Sequence, residues 1–133
     1  MRRLMMQVLL ACATLATSAG LSAAPAPLAP VTTNEAAVTV KVTPRNLAGA
    51  TWEFDVVFET HSQELTDDLV KAAVLVAADG SEVAPLEWRG AAPGGHHRAG
   101  VLRFKALNPA PSMVVLRITR TGEPKPRVFQ WQR

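Results

Sequence analysis

Cysteine is almost absent from this chain. Its 133 residues include one cysteine and no tyrosine, and aromatic residues make up 5% of the sequence. The cysteine, Cys12, lies in an apolar N-terminal stretch, so the rest of the chain has no thiol for a disulfide, a nucleophile or a sulfur-ligated metal. We therefore expect the folded part to be stabilised by its hydrophobic core and without disulfides.

An excess of charge of one sign is also lacking once the N-terminus is set aside. The formal net charge is +3, and Arg2 and Arg3 supply two of these charges. The rest of the chain is close to neutral, with acidic and basic residues interspersed, so it offers a polyanion no continuous basic surface. We therefore predict that the protein has no nucleic-acid partner.

The first 24 residues have the order of a secretory signal peptide. Arg2 and Arg3 precede an apolar run over residues 4–16, and small residues follow as far as Ala24. The run is about 13 residues long, whereas a membrane-spanning helix needs about 20. We therefore predict cleavage and export, giving a periplasmic or secreted mature form without a membrane span.

The segment Leu9-Leu10-Ala11-Cys12 leaves an alternative open, because it reads like a lipobox. In bacterial lipoproteins the cysteine of such a segment carries the lipid, so Cys12 would then anchor the chain to the envelope. Residues 25–34 follow, with three prolines, and predict an extended Pro-rich tether. The folded domain is predicted over residues 35–133.

The domain shows a hydrophobic period of two. Val38, Val40 and Val42 alternate with polar residues, as do Trp52 and Phe54, which is typical of antiparallel strands with one buried face. The predicted strands cover residues 38–43, 52–59, 74–76, 83–89, 100–106, 113–119 and 127–132. About seven short strands predict an all-β, immunoglobulin-like antiparallel β-sandwich.

Two details accompany this prediction of the fold. A short helical turn over residues 66–71, with Thr66 as its N-cap, is expected before the third strand. The fourth strand, over residues 83–89, is expected to place Leu86 and Trp88 inward.

The topology predicts where chemistry could occur. If successive strands reverse direction, the connections at 60–69, 90–98 and 121–126 share one end of the sandwich. The second and fifth predicted strands are hydrogen-bonded neighbours in immunoglobulin-like folds, which would bring the first two of these connections together. Imidazole and carboxylate groups suit Zn²⁺ or Cu²⁺. The candidate metal ligands are His61, His96, His97, Glu64, Asp67 and Asp68.

A structural role for the histidines is the alternative to metal binding. His61 and His97 could hydrogen-bond the loops to the end of the sandwich, and the adjacent His96 and His97 would point in opposite directions on an extended backbone. No nucleophile elbow, P-loop or zinc-protease spacing occurs, so we expect no catalysis.

These patterns support two functional hypotheses. The first is a monomeric, cofactor-free module of the cell envelope that binds a protein or another envelope component. The second is a small periplasmic protein that binds zinc or copper through the loop histidines.

Several strings in the chain carry a resemblance to a protein family. They are Thr60-His61-Ser62, Gly94-Gly95-His96-His97-Arg98 with Gly100-Val101-Leu102-Arg103-Phe104, and Arg127-Val128-Phe129-Gln130-Trp131. In these strings the chain resembles a group of small exported prokaryotic β-sandwich domains over about residues 50–132. The resemblance implies a secreted or envelope-associated domain and brings no activity with it.

Overall fold

The structure is a computed structural model that describes Gly20 and residues 28–133. The predicted signal segment, the lipidation candidate Cys12 and the start of the tether lie outside the described residues. Within them no helix has the length and apolarity that crossing a membrane requires. The elements in chain order are β1 (Val31–Glu35), β2 (Val38–Asn46), β3 (Thr51–Thr60), α1 (Leu69–Ala72), β4 (Ala73–Val76), β5 (Glu82–Val83), β6 (Glu87–Gly90), β7 (His97–Lys105), β8 (Met113–Ile118) and β9 (Arg127–Gln132).

Two antiparallel sheets make up residues 28–133. One has the order β1-β2-β3-β7-β6 and the other the order β5-β4-β8-β9. Apart from β1 and the two-residue β5, this is the arrangement of seven-stranded immunoglobulin-like sandwiches, in which a four-stranded sheet packs on a three-stranded one. The predicted antiparallel β-sandwich is confirmed, including the pairing of the second and fifth predicted strands, here β3 and β7.

The core lies between the sheets and is filled by alternate residues of each strand. Val38, Val40 and Val42 of β2 are fully buried, as the period of two predicts. Phe54 is central, since its ring packs edge-on against Phe104 at 5.7 Å and also lies 5.7 Å from the ring of Trp131. The first contact lies within the five-stranded sheet, and the contact with Trp131 on β9 joins the two sheets.

The first strand begins before the predicted domain boundary. Residues 31–34, which we predicted as tether, form most of β1 and pair with β2. The turn between these strands places Ala36 and Ala37 at positive φ, a conformation that usually selects glycine or asparagine. The Thr60 hydroxyl donates to the Ala37 carbonyl at 2.8 Å and supports this turn. No residue of the usual type marks the hairpin in the sequence.

The segment before β1 is fixed to the opposite sheet. The indole N–H of Trp131 on β9 donates to the Ala29 carbonyl at 2.8 Å, and Leu28 packs against the core. The edge formed by β1 and β9 is therefore closed by side-chain contacts.

The predicted strand over residues 83–89 is two strands in different sheets. β5 pairs with β4, and β6 pairs with β7. Pro85 lies between them, and a proline cannot donate to a ladder, so the chain leaves one sheet there and enters the other. Leu86 is 58% exposed, so its predicted inward position is wrong, whereas Trp88 is half-buried.

The helical turn is also shifted from its prediction. It covers Leu69–Ala72 instead of 66–71, and its N-cap is Asp68 instead of Thr66. The Asp68 carboxylate accepts hydrogen bonds from the backbone N–H groups of Val70 and Lys71.

Two glycines allow the Trp88 ring to lie flat on the sheet. Gly90 and Gly100 are paired residues of β6 and β7. A Cβ on Gly100 would lie 2.6 Å from the Cα of Gly90 and 2.7 Å from Cη2 of Trp88. A side chain at either glycine would therefore displace the indole from the sheet.

Replacing Gly100 with alanine should destabilise the domain. Because the new methyl group meets backbone atoms that cannot move aside cheaply, we expect Gly100→Ala to lower the free energy of unfolding by about 2 kcal/mol. Urea denaturation followed by tryptophan fluorescence measures this. The control is Ala99→Ser at the exposed neighbouring position, whose free energy of unfolding should lie within about 0.5 kcal/mol of the wild-type value. Equal stabilities for Gly100→Ala and the control would contradict this packing.

Candidate functional site

The three predicted connections share one end of the sandwich, which we call the histidine pole and define as residues 61–68, 91–96 and 119–126. Leu65 donates its backbone N–H to the Gly95 carbonyl at 2.9 Å, and Gly94 donates to the Leu65 carbonyl at 2.8 Å. Thr119 donates to Ala72 at 2.9 Å, which joins the third connection to α1. The predicted reversal of successive strands is therefore confirmed.

His61 and His96 lie in this pole, and His97 lies beside it at the start of β7. Glu59 and His97 are paired residues of β3 and β7, and His97 Nδ1 lies 3.3 Å from Glu59 Oε1. His61 is exposed and lines a shallow depression of about 370 Å³ together with Glu59. The backbone of His96 accepts a hydrogen bond from Thr60, and its side chain is exposed. Glu59 is thus associated with both His61 and His97.

Two of the three candidate carboxylates, those of Asp67 and Asp68, have other partners. Both oxygens of Asp67 accept hydrogen bonds from Arg120, at 3.1 and 3.2 Å, and Asp68 caps α1. Glu64 is exposed. Across residues 28–133, no group of three or more histidine, cysteine or acidic side chains is arranged to hold a metal ion.

Arg98 holds the two loops together, and the sequence analysis did not assign it a role. It is 2% exposed, and its guanidinium donates to the carbonyl oxygens of Leu65, Asp67 and Ala91. Its central carbon lies 5.7 Å from the ring centroid of Trp88. Burial lowers the pKa of Arg98, and Asp67 and Asp68 oppose that effect.

The alternation of inward and outward residues along β7 indicates the inward position of Arg98. Arg98 shares its strand face with Leu102 and Phe104, both fully buried. The strand begins at His97, three residues before the predicted start at Gly100. Extending the alternation back by one period would have predicted an inward arginine.

A second group of buried charges closes the other side of the pole. Arg127 Nη1 donates to the Val38 carbonyl at 2.8 Å, and its Nη2 donates to the Glu35 carbonyl at 2.8 Å. Glu123 accepts hydrogen bonds from both Arg127 and Arg120. The hydrogen bond from Arg127 is the main cause that lowers the pKa of Glu123 below its ordinary value, against the opposing effect of burial.

An open groove runs along β6 beside the pole, and we call it the β6 groove. It has a volume of about 450 Å³, and its apolar wall includes Val70, Leu86, Trp88 and Pro93. Val70 is 38% exposed and Leu86 is 58% exposed. Charged residues also contribute to the lining, namely Asp67, Asp68, Glu87 and Arg98. A larger depression of about 790 Å³ lies at the other end of the sandwich, among small residues and the exposed Lys105.

Comparison of the chain with protein-family models, with curated proteins and with solved structures gives no significant match.

Neutralising Glu123 should destabilise the fold in a pH-dependent way. Glu123→Gln leaves Arg127, whose side chain is fully buried, without its carboxylate, and we expect a loss of about 3 kcal/mol at pH 7. Because the folded-state pKa of Glu123 is depressed, its contribution is complete above its ordinary pKa and is lost as pH falls through the folded value. Urea titrations between pH 7 and pH 3 measure both effects.

The matched control is Glu82→Gln, which removes an exposed carboxylate that also pairs with an arginine, Arg117. It should change stability by less than about 1 kcal/mol. The difference between wild type and Glu123→Gln should shrink towards the acid end of the series. A difference that stays constant with pH would contradict the role of the ionised Glu123.

Proposed function

We propose that this protein is an exported, non-enzymatic module that binds a protein partner through the β6 groove. The observation that carries the proposal is the exposure of Leu86 and Val70 beside the half-buried Trp88. Contiguous exposed apolar side chains around a concave surface are typical of interaction sites, whereas single exposed apolar residues are common and need no explanation.

The wall of the groove is held in place before any partner binds. Trp88 donates its indole N–H to the Ala91 carbonyl at 2.9 Å, and its ring lies between the glycine pair and Arg98. A side chain that is already ordered loses little conformational entropy on binding. A tryptophan fixed in this way is also the residue type most often found at the centre of protein interfaces.

The charged groups around the groove support binding instead of catalysis. Asp67 is bound by Arg120, and Glu87 accepts hydrogen bonds from both Arg103 and Arg89. A general acid or base needs a carboxyl group that is available to a substrate. The proposal of export rests on the signal-like N-terminal sequence, and we propose a monomer that meets its partner in the periplasm or outside the cell.

Site-specific crosslinking tests the proposed surface. The photoreactive residue benzoylphenylalanine is placed at Leu86 or Val70 of the full chain, and cells of the source organism are irradiated. We expect both positions to give an adduct with the same partner. The control position is Val128 on β9, an apolar residue that is 42% exposed and outside the groove.

The crosslinked partner is then purified and titrated against the protein. We expect Leu86→Glu to weaken binding by at least about tenfold, because it places a charge on an apolar contact surface, and Val128→Glu to have little effect. Adducts of equal yield at all three positions, or none at Leu86 and Val70, would contradict the proposal.

A second candidate function, zinc or copper binding, is favoured by the contact between His97 and Glu59. The pair combines an imidazole nitrogen and a carboxylate oxygen 3.3 Å apart, and His61 lies two residues from Glu59. Exposed side chains can change rotamer, so His61 can approach the pair. Under this candidate Glu59 takes the carboxylate role that we had considered for Glu64, Asp67 and Asp68.

Calorimetric titration of the full chain with Zn²⁺ and Cu²⁺ tests this candidate. Binding tighter than about 10 μM is expected, with a loss of at least tenfold in His61→Ala and in His97→Ala. His96→Ala is the matched control, because His96 adjoins His97 but makes no contact with Glu59 within the described residues. The site would be excluded if the wild type bound both metals more weakly than about 10 μM, or if all three variants bound them equally well.

A further inference from the structure

The β6 strand is an edge of the five-stranded sheet. Within residues 28–133 it pairs with β7 on one side and with no strand on the other. An unpaired strand edge presents a row of backbone N–H and C=O groups that another extended segment can use. The β6 groove lies directly beside this edge, so the same partner can meet both features.

The register identifies the backbone groups at the open edge. Ala91 donates its N–H to the Ala99 carbonyl, and Arg89 is paired with Val101. Hydrogen-bonded positions alternate along an antiparallel strand, so Ala91 and Arg89 face β7. The N–H and C=O groups of Trp88 and Gly90 therefore face away from it.

The two faces of β6 differ in chemistry. The face of Trp88 looks into the β6 groove, where Val70 of α1 and Pro93 complete an apolar wall. The opposite face carries Glu87 and Arg89. A segment added beside β6 would place alternate side chains in the groove and on this charged outer face.

Charges alternate in sign across the outer face towards the edge. Glu53 on β3 binds Arg103 on β7, and Arg103 binds Glu87 on β6. Arg89 Nε lies 2.9 Å from Glu87 Oε1, and the Arg89 side chain is 63% exposed. Glu87 thus has two arginine partners, Arg103 and Arg89. Arg89 lies on the same strand, has Glu87 as its partner and is the more exposed of the two, so an acidic side chain on an added strand would complement it.

We propose that the partner of this protein contributes an extended segment that adds to β6, with apolar side chains in the β6 groove and an acidic side chain opposite Arg89. This inference rests on the proposed function, because it specifies how the partner occupies the groove. Backbone hydrogen bonds at Trp88 and Gly90 would supply affinity, and the alternation of apolar and acidic residues would supply specificity.

Synthetic nine-residue peptides test the inference with the full chain. One alternates valine with threonine and has a single glutamate at its centre, a second has lysine in place of that glutamate, and a third is the glutamate peptide with alternate backbone nitrogens methylated. Fluorescence anisotropy of labelled peptides measures the affinities. We expect the glutamate peptide to bind about fivefold more tightly than the lysine peptide, because a cross-strand ion pair replaces a repulsion. Methylation should reduce binding by at least about tenfold, because it removes the donors.

Charge reversal in the protein provides the matched comparison. Arg89→Glu should reverse the preference in favour of the lysine peptide. Arg45→Glu is the control, since Arg45 is similarly exposed and pairs with Asp55 on the same sheet, away from β6. Strand addition would be overturned if Arg89→Glu still preferred the glutamate peptide to the lysine peptide, or if the methylated peptide bound as tightly as the unmethylated one.

The crosslinking experiment separates this failure from failure of the proposed function. In one outcome, position 86 still crosslinks a partner and Leu86→Glu weakens the binding of that partner, while the affinity of the peptides does not depend on Arg89 or on methylation. The groove then binds its partner by another mode. If neither the peptides nor the crosslinks depend on the groove, both proposals are wrong.

Discussion

The guanidinium of Arg98 joins carbonyl groups from two loops that are about 25 residues apart in the chain. The arrangement of the candidate surfaces depends on it. Its hydrogen bonds to Leu65 and Asp67 fix one loop, and those to Ala91 fix the other. A buried cation needs such partners, because removal from water is costly without them. The same group supports the Trp88 ring, so the shape of the β6 groove follows from the way this charge is satisfied.

Arg127 has a corresponding position on the other side of the sandwich. Its bonds to the carbonyls of Val38 and Glu35 connect the second sheet to the first hairpin, and Glu123 balances its charge. In a domain whose described residues contain no cysteine, these charged contacts provide links between sheets that a disulfide provides in many immunoglobulin-like domains. A disulfide acts mainly on the unfolded chain, whereas these contacts act only in the folded state.

Much of the fold was predictable because the period of two is a local property. The pairing of β3 with β7, and the common end of the loops, followed from the alternating direction of strands. The parts of the fold prediction that were wrong depended on backbone conformation. Ala36 and Ala37 adopt positive φ without glycine, which concealed β1, and Pro85 moved the chain between sheets, which exposed Leu86.

The site was less predictable because its chemistry is set by distant partners. The predicted topology brought Asp67 to the same end of the sandwich as three histidines, but Arg120 binds its carboxylate in the fold. Arg98 and Arg127 occupy positions that alternation assigns to the inner face, and the sequence analysis gave neither of them a role in the core. Inward positions occupied by arginine therefore merit the same attention as inward positions occupied by phenylalanine.

The closure of the edge formed by β1 and β9 has a consequence for stoichiometry. Trp131 binds Ala29 there, and Arg127 binds Glu35, so this margin is bridged by bonds within the chain. Filaments that grow by edge-to-edge association of β-sandwiches need two complementary sheet edges on each molecule, one that binds the preceding subunit and one that binds the next. With this margin bridged, we expect edge-to-edge association to be confined to the opposite side of the molecule, where β6 is unpaired within the described residues, and this would favour discrete complexes over fibres.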